Sequence, residues 1–179
     1  MHGLVSLLDQ PHNQLVESIW QTLDEECGLT GIKVTPFPHF SWLIGSDFEW
    51  KAFEFALQEI AAQASPLTVR TTGLGLFTGS NPVVFIPIIR TKELSEFHQL
   101  VWERIQPFGE GLSSYYSPAY WSPHISLAYS DVTPANLSCV MNRLAFQTYN
   151  WEIRIDNISF ISEPDSQVGT IRYRYGFNG

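Results

Sequence analysis

The chain has 179 residues, of which 44% are apolar and 16% are charged, and its net charge is −8 at pH 7. This length and composition indicate one globular unit with a substantial core and exclude an intrinsically disordered chain. No apolar run approaches the roughly 18 residues of a membrane span, and the acidic balance argues against a protein that tracks extended duplex nucleic acid.

The two cysteines, Cys27 and Cys139, lack the short spacing typical of metal-binding motifs. We therefore expect free thiols in a reducing cytoplasm. The N-terminus has no charged region of the kind that begins a signal peptide, which also favours a cytoplasmic protein. Nothing in the sequence indicates an oligomer, and we expect a monomer.

Alternating strands and helices are predicted along the first half of the chain. The predicted elements are a strand at 4–8, a helix at 15–23, a strand at 39–44, a helix at 52–60, and a hairpin of strands at 67–77 and 83–89. Gly28 stands near the end of the first helix. Ser46, with Glu49 three residues later, is typical of a capping box at the start of the second.

The second half repeats this order loosely. The predicted elements are a helix at 91–105, an aromatic loop at 113–121, a strand at 124–128, a helix that begins at Thr133-Pro134, and strands at about 151–161 and 168–177 around a turn at Glu163-Pro164-Asp165. No linker or low-complexity tract separates the halves. We predict one domain over residues 1–179, formed by two similar α+β lobes that face each other.

Two short segments of the chain are almost the same. Each reads Pro-His-apolar-Ser at the head of an apolar run, with His39 and Ser41 in the first and His124 and Ser126 in the second. In a strand, residues i and i+2 point to the same face, so each pair presents an imidazole beside a hydroxyl. Two such pairs around one space suit acid–base chemistry on a phosphate ester. The alternative is two structural histidines, each bonded to a nearby loop.

The paired segments resemble the signature of the two-histidine (2H) phosphoesterase superfamily, which is two copies of His-x-Thr/Ser-x with hydrophobic x. The resemblance is to its 2′-5′ RNA ligase-like and cyclic phosphodiesterase branch, and the hairpin at 74–87 is similar as well. Serine occupies both hydroxyl positions here, where threonine is common in that branch; serine keeps the donor and loses the stiffening methyl group.

That resemblance implies a bilobal α+β fold of antiparallel sheets with outer helices around a central groove. It also implies hydrolysis of 2′,3′-cyclic phosphates on nucleotides or RNA ends to 2′-phosphates, without metal or cofactor. His39 and His124 would then be the acid and the base in either order, and Ser41 and Ser126 would bind the phosphate. No further histidine, cysteine or carboxylate stands at short ligand spacing from either histidine, so we expect no metal site.

Further substrate-binding candidates come from the aromatic loop and the last strand. Tyr115, Tyr116, Tyr120 and Trp121 either stack a nucleobase or pack beneath the loop. Arg172 and Arg174 alternate on one predicted strand face, where they either bind phosphate or are solvated. Tyr129 is placed on the face opposite His124, and His98 is expected at a helix surface or boundary.

Three functions remain open at this stage. The first is a cyclic phosphodiesterase acting on a small nucleotide or an RNA 3′ end, with no membrane and no extended duplex as partner. The second is a 2′-5′ RNA ligase, which the acidic charge disfavours because a ligase holds two polyanionic ends. The third is a non-catalytic module that binds a phosphorylated metabolite, which two complete motifs disfavour.

Overall fold

The computed structural model describes residues 2–163 and 167–179, and it is an α+β protein of antiparallel sheets and outer helices. Its helices are α1 (Gln10–Cys27), α2 (Trp50–Gln63), α3 (Lys92–Ile105) and α4 (Leu137–Leu144). Its strands are β1 (His2–Leu7), β2 (His39–Gly45), β3 (Asp47–Phe48), β4 (Leu67–Arg70), β5 (Gly75–Phe77), β6 (Val83–Pro87), β7 (Gly109–Glu110), β8 (His124–Ala128), β9 (Glu152–Ile155), β10 (Asn157–Ser162) and β11 (Thr170–Gly176). The turn predicted at Glu163-Pro164-Asp165 falls partly outside the described residues.

Two antiparallel sheets carry the architecture. The first has the strand order β11-β10-β1-β2, and the second has the order β5-β6-β8. A single bridge between Thr71 and Ile88 connects the second sheet to the β4–β9 pair, while β3 pairs with β7. Both predicted motif strands, β2 and β8, are therefore edge strands of their sheets. The predicted α+β class of antiparallel sheets with outer helices is confirmed.

Helices α1 and α3 do not pack against the sheet whose strand they follow in sequence; each packs against strands of the other sheet. α1 follows β1 of the first sheet but packs against β8 and α4, whereas α3 follows β6 of the second sheet but packs against β2. α2 packs behind β10 and β11. We call the β11-β10-β1-β2 sheet with α2 and α3 the first lobe, and the β5-β6-β8 sheet and the β4–β9 pair with α1 and α4 the second lobe. One continuous apolar core includes residues of both lobes.

Local capping chemistry sets the ends of α1 and α3. Asp9 accepts a hydrogen bond from the His12 backbone N–H at 3.3 Å at the start of α1, and α1 ends at Gly28 with φ +71°. Thr91 accepts from the Leu94 N–H at 3.2 Å at the start of α3. The predicted end of α1 near Gly28 and the predicted start of α3 at Thr91 are confirmed.

Two other predicted helix starts are wrong. The Ser46 hydroxyl donates to the Glu110 carbonyl at 3.0 Å, so it does not cap a helix, and β3 lies between it and α2. At Thr133 the backbone N–H donates to the Asn136 side chain at 2.7 Å, which forms a turn, and α4 begins after it. At Ser46 a competing hydrogen bond takes the capping hydroxyl, and at Thr133 the Asn136 side chain closes a turn where the helix was predicted to begin.

The strand predicted over residues 67–77 is two strands in different pairings. β4 pairs with β9, whereas β5 pairs with β6. Gly73, with φ +55°, lies in the break, where its left-handed backbone redirects the chain. Within residues 2–163 and 167–179, no helix is both long and apolar enough to cross a membrane.

The two cysteines form a disulfide, so the prediction of free thiols is wrong. Cys27 at the end of α1 is bonded to Cys139 in α4, with 5.8 Å between their Cα atoms and 112 positions between them in sequence. Spacing alone could not reveal this pairing, because it depends on the packing of α1 against α4. Free thiols were one of the two arguments for a cytoplasmic protein, and that argument no longer holds because disulfides persist in oxidising compartments.

Candidate active site

The two motif strands face each other between the sheets. Cα atoms of β2 and β8 approach to within 8 Å, although the strands belong to different sheets. In β2 the side chains alternate between a half-buried His39 and Ser41 and a fully buried Phe40. In β8 the half-buried His124 and Ser126 flank a buried core residue in the same pattern. The structure thus places an imidazole and a hydroxyl from each lobe on the open faces of neighbouring edge strands.

Each motif histidine is held through the same ring nitrogen. His39 Nδ1 lies 2.5 Å from the Phe37 carbonyl oxygen, and His124 Nδ1 lies 2.7 Å from the Ser122 carbonyl oxygen. A carbonyl oxygen only accepts, so Nδ1 carries the proton in both neutral rings. Nε2 is then the unprotonated nitrogen of both neutral rings and is available to accept a proton. The two motifs thus present the same tautomer.

An indole holds the backbone of each motif serine. Trp121 Nε1 donates to the Ser41 carbonyl at 2.9 Å, and Trp20 Nε1 donates to the Ser126 carbonyl at 3.1 Å. An edge strand leaves carbonyls without a ladder partner, and here an indole supplies the missing donor. The bonds fix both serines against the groove without pairing β2 to β8.

The protonation equilibria of the two histidines are shifted in the same direction. Burial lowers the pKa of His39, and a positive charge on His124 lowers the pKa of His39 further, against a raising effect of the Phe37 carbonyl. Burial also lowers the pKa of His124, against a raising effect of the Ser122 carbonyl. The two imidazoles are therefore close enough to interact electrostatically. This interaction disfavours a state in which both rings are charged.

Two tyrosines extend the site beside Ser41. Burial raises the pKa of Tyr116 to about 12, against a lowering effect of the neighbouring Ser41 side chain. Tyr129 lies close enough to raise the pKa of Tyr116 as well. β8 ends at Ala128, so strand alternation does not set the direction of Tyr129, which is 43% exposed. The sequence placed Tyr129 away from the site because it treated the strand as longer than it is.

Trp121 has a packing role instead of a stacking surface for a base. Its side chain is buried, and the ring of His98 lies 3.8 Å from it at an interplanar angle of 3°. His98 itself is fully buried and its Nε2 donates to the Trp42 carbonyl at 3.0 Å, so the expectation of a surface or boundary histidine is wrong. Burial lowers the pKa of His98 to about 4, so the ring is neutral near neutral pH. No local pattern in the sequence signals this stack, which forms between α3, β2 and the aromatic loop.

The other two aromatic candidates are surface residues. Tyr115 and Tyr120 are 80% and 73% exposed. Among the described residues, neither ring is in aromatic contact with His39 or His124. The structure therefore leaves both on the outer side of the aromatic loop.

The last strand places its two arginines on different faces. Arg174 pairs in register with Ser159 of β10, which pairs with Val5 of β1. Val5 in turn pairs with Ser41, so Arg174 shares the face of the first motif at the far side of the sheet. Arg172 falls at an irregularity in the β10–β11 register, and its guanidinium lies 4.0 Å from the centre of the Trp50 ring. This contact holds Arg172 on the helix-covered side, away from the motifs.

A small cavity of about 80 Å³ opens beside the first motif. His39 and Ser41 line it together with His2, Gly3, Val5, Thr35, Ile44, Ile161 and Glu163. Across the part of the chain that the structure describes, no three histidine, cysteine or carboxylate side chains are grouped so that they could hold a metal ion. The groups available for chemistry include the two motif imidazoles and the neighbouring hydroxyls, and the cavity beside the first motif is also bordered by the His2 imidazole and the Glu163 carboxyl group.

Solved structures with the same fold were found by comparison of coordinates. TT0787 of Thermus thermophilus aligns with a TM-score of 0.70 at 16% identity, over 99% of this chain and 98% of the other. LigT of E. coli complexed with 3′-AMP aligns with a TM-score of 0.60 at 15% identity, over 99% of both chains. A protein described as a phosphoesterase aligns with a TM-score of 0.61 at 13% identity, over 99% and 98%.

Sequence comparison agrees with the fold. A search of curated protein sequences gave no significant match. The family profile of the 2′-5′ RNA ligase superfamily matches residues 33–167, a segment that contains both His-x-Ser motifs. With that match and a similar fold over the whole length, the chain belongs to the 2′-5′ RNA ligase superfamily of two-histidine phosphoesterases.

Proposed function

We propose that this protein is a phosphodiesterase that hydrolyses the 2′,3′-cyclic phosphate of a nucleotide or an RNA 3′ end to a 2′-phosphate. The observation that carries the proposal is the matched pair of histidines on facing edge strands. Each ring has its Nδ1 hydrogen-bonded to a backbone carbonyl, and a positive charge on His124 lowers the pKa of His39. The E. coli LigT structure contains 3′-AMP, a nucleoside phosphate, which supports a nucleotide substrate for this chain as well.

In the proposed reaction one neutral imidazole takes a proton from water through Nε2 as the water oxygen bonds to phosphorus. The bond between phosphorus and the ribose 3′-oxygen breaks, and the other imidazole, protonated, gives its proton to that oxygen. Ser41 and Ser126 donate hydrogen bonds to the non-bridging phosphate oxygens as negative charge accumulates on them. Each imidazole ends in the state in which the other began, and a second proton transfer through solvent resets the pair.

Binding of the substrate favours the protonated acid. Both histidine pKa values are lowered in the free protein, mainly by burial. A phosphate anion between the rings stabilises an imidazolium and raises the pKa of the ring that holds the proton. The site therefore acquires its acid when the substrate is present. This chemistry uses only imidazoles and hydroxyls, so we propose that it proceeds without a metal ion.

The net charge of −8 supports a small substrate or a chain end over a long duplex. We propose that the protein engages one terminal nucleotide at the groove as a monomer. Turnover of a cyclic-ended oligonucleotide should then match that of a mononucleotide and depend only weakly on salt.

The test is analysis of the products formed from a single-stranded RNA that ends in a 2′,3′-cyclic phosphate, with and without a second RNA bearing a 5′-hydroxyl. The proposed function predicts a 2′-phosphate in both cases, at a rate that EDTA does not change. A longer RNA containing a 2′-5′ linkage would identify a ligase instead. Unchanged RNA that nevertheless binds would identify a non-catalytic module.

A further inference from the structure

Beside His124 is a pair of phenylalanine rings to which the mechanism gives no role. The Phe77 ring lies 4.9 Å from the His124 ring at an interplanar angle of 86°, and the Phe85 ring lies 5.0 Å from it at 56°. The two phenylalanine rings are 4.1 Å apart and tilted by 31°. The second motif thus has an aromatic wall, which we define as Phe77 and Phe85. Among the described residues, no aromatic ring is in comparable contact with His39.

The strand register of the second sheet builds this wall. Gly75 on β5 pairs with Phe85 on β6, and Phe85 pairs with Ser126 on β8. Directly paired residues of antiparallel strands share a face, so Phe85 lies on the face that carries the second motif. A Cβ atom at Gly75 would lie 2.2 Å from the Phe85 ring. Gly75 has no side chain, so the Phe85 ring can lie over β5 at this position. The Phe77 ring packs against the Phe85 ring.

The two rings of the wall differ in accessibility. Phe85 is only 6% exposed, whereas Phe77 is 38% exposed. Phe85 is thus the fixed support, and Phe77 offers an open aromatic surface in contact with a proposed proton carrier. The aromatic loop gives no equivalent surface, because Trp121 is buried and the exposed Tyr115 and Tyr120 contact neither histidine.

We propose that Phe77 is a stacking platform for the nucleobase of the substrate. This inference rests on the proposed function and specifies its substrate class: cyclic phosphates that carry a base, bound with the base on the His124 side of the groove. A single ribose ring separates the base from the 2′,3′-cyclic phosphate. A platform for the base must therefore lie directly beside the groups that attack the phosphate, and Phe77 does. Base–aromatic stacking tolerates different bases, so the platform selects for a base and not for one sequence.

The experiment compares two substrates with the same five-membered cyclic phosphate, adenosine 2′,3′-cyclic phosphate and glycerol 1,2-cyclic phosphate, which has no base. Phe77→Ala should lower kcat/KM for the adenosine substrate by about tenfold to a hundredfold, the usual effect of losing a stacking ring. It should leave kcat/KM for the glycerol substrate within about twofold. Phe77→Trp should retain turnover of the adenosine substrate, because indole also stacks.

The matched control is Leu76→Ala, which removes a side chain of similar exposure from the opposite face of the same strand and should change neither rate. An equal loss on both substrates in Phe77→Ala would overturn the proposal, because the ring would then act only by holding His124. No loss on either substrate would also overturn it. If the wild-type protein opens both compounds equally well, the stacking proposal fails and the proposed function stands. If it opens neither, the proposed function itself fails.

Discussion

The two motif strands share their backbone chemistry and differ in what surrounds it. His39 and His124 each bond through Nδ1 to the carbonyl two positions earlier in the chain, and each motif serine has its carbonyl bonded to an indole. The Ser41 hydroxyl also meets the Tyr116 phenol, a contact that distinguishes the first motif from the second. His39 borders an open cavity, and His124 borders the aromatic wall.

The supports behind the strands differ as well. Trp121, which holds Ser41, is stacked on the buried His98 of α3. Trp20, which holds Ser126, stands on α1, which the disulfide joins to α4. The repeated features are those that acid–base chemistry needs, namely a fixed tautomer and a fixed hydroxyl. Under the proposed function, the features that differ distinguish the two ends of a bound substrate, and the groove combines symmetric chemistry with asymmetric recognition.

The largest expected effect is the loss of either proton carrier. His39→Ala and His124→Ala should each lower kcat on a 2′,3′-cyclic nucleotide by about 10²–10⁴-fold, the usual contribution of a general acid or base. The double variant should lose little more than the worse single variant, because the rings act as a unit. Initial rates at saturating substrate measure this.

His12→Ala is the matched control, since His12 is also partly buried and hydrogen-bonded but lies at the start of α1 and bonds to Asp9. It should keep the wild-type rate. If a correctly folded His39 or His124 variant keeps the wild-type kcat, that histidine takes no part in the reaction. The two motif strands would then not have equivalent roles.

Period-2 alternation and the His-x-Ser spacing predicted the two motif strands because these are local properties of the chain. The order of elements likewise predicted the α+β class with two similar lobes, and the resemblance to a known family predicted a central groove. The His98–Trp121 stack, the Cys27–Cys139 bond and the contact of Phe77 with His124 escaped prediction. Each of these joins segments far apart in sequence, and the exchange of α1 and α3 between the lobes brings two of them together. Local patterns carry no information about such packing.

The next largest effect concerns the disulfide. It joins α1 to α4, and α1 carries Trp20, which holds the second motif. Replacing Cys27 and Cys139 together by serine should lower the free energy of unfolding by about 3–5 kcal/mol, because the bond closes a very long loop. Urea denaturation of the double variant measures this, and the wild-type protein in reductant should give the same value. Hydrogen exchange should increase more in β8 than in β2. An unchanged unfolding midpoint, or equal exchange in both strands, would contradict the expected difference between the lobes.

Loss of one serine hydroxyl should cost less than loss of a histidine. Ser41→Ala and Ser126→Ala should each lower kcat by roughly 10²-fold, as for a lost oxyanion donor. Ser→Thr at either position should keep most of the rate, because the hydroxyl remains. Tyr116→Phe sharpens the comparison: it removes the partner of Ser41 only, and combined with Ser41→Ala it should add almost nothing. Full additivity of the two changes would show that Tyr116 does not act through Ser41.

The smallest effect is the position of the pH optimum, which tests whether the two rings form one coupled pair. The pKa values of His39 and His124 are both lowered from 6.5, chiefly by burial. A reactive pair needs one protonated and one neutral ring, and that state is most populated between the two pKa values of the free protein. Because both are lowered, kcat/KM should peak below about pH 6.5 and decline by more than about tenfold towards pH 8 as the acid loses its proton. The profile of kcat should lie at higher pH than that of kcat/KM, because bound phosphate raises the pKa of the acid.

Rates measured on a 2′,3′-cyclic nucleotide from about pH 4.5 to 9 test both expectations. A kcat/KM optimum above neutral pH would mean that the histidines do not titrate as a buried, mutually repelling pair.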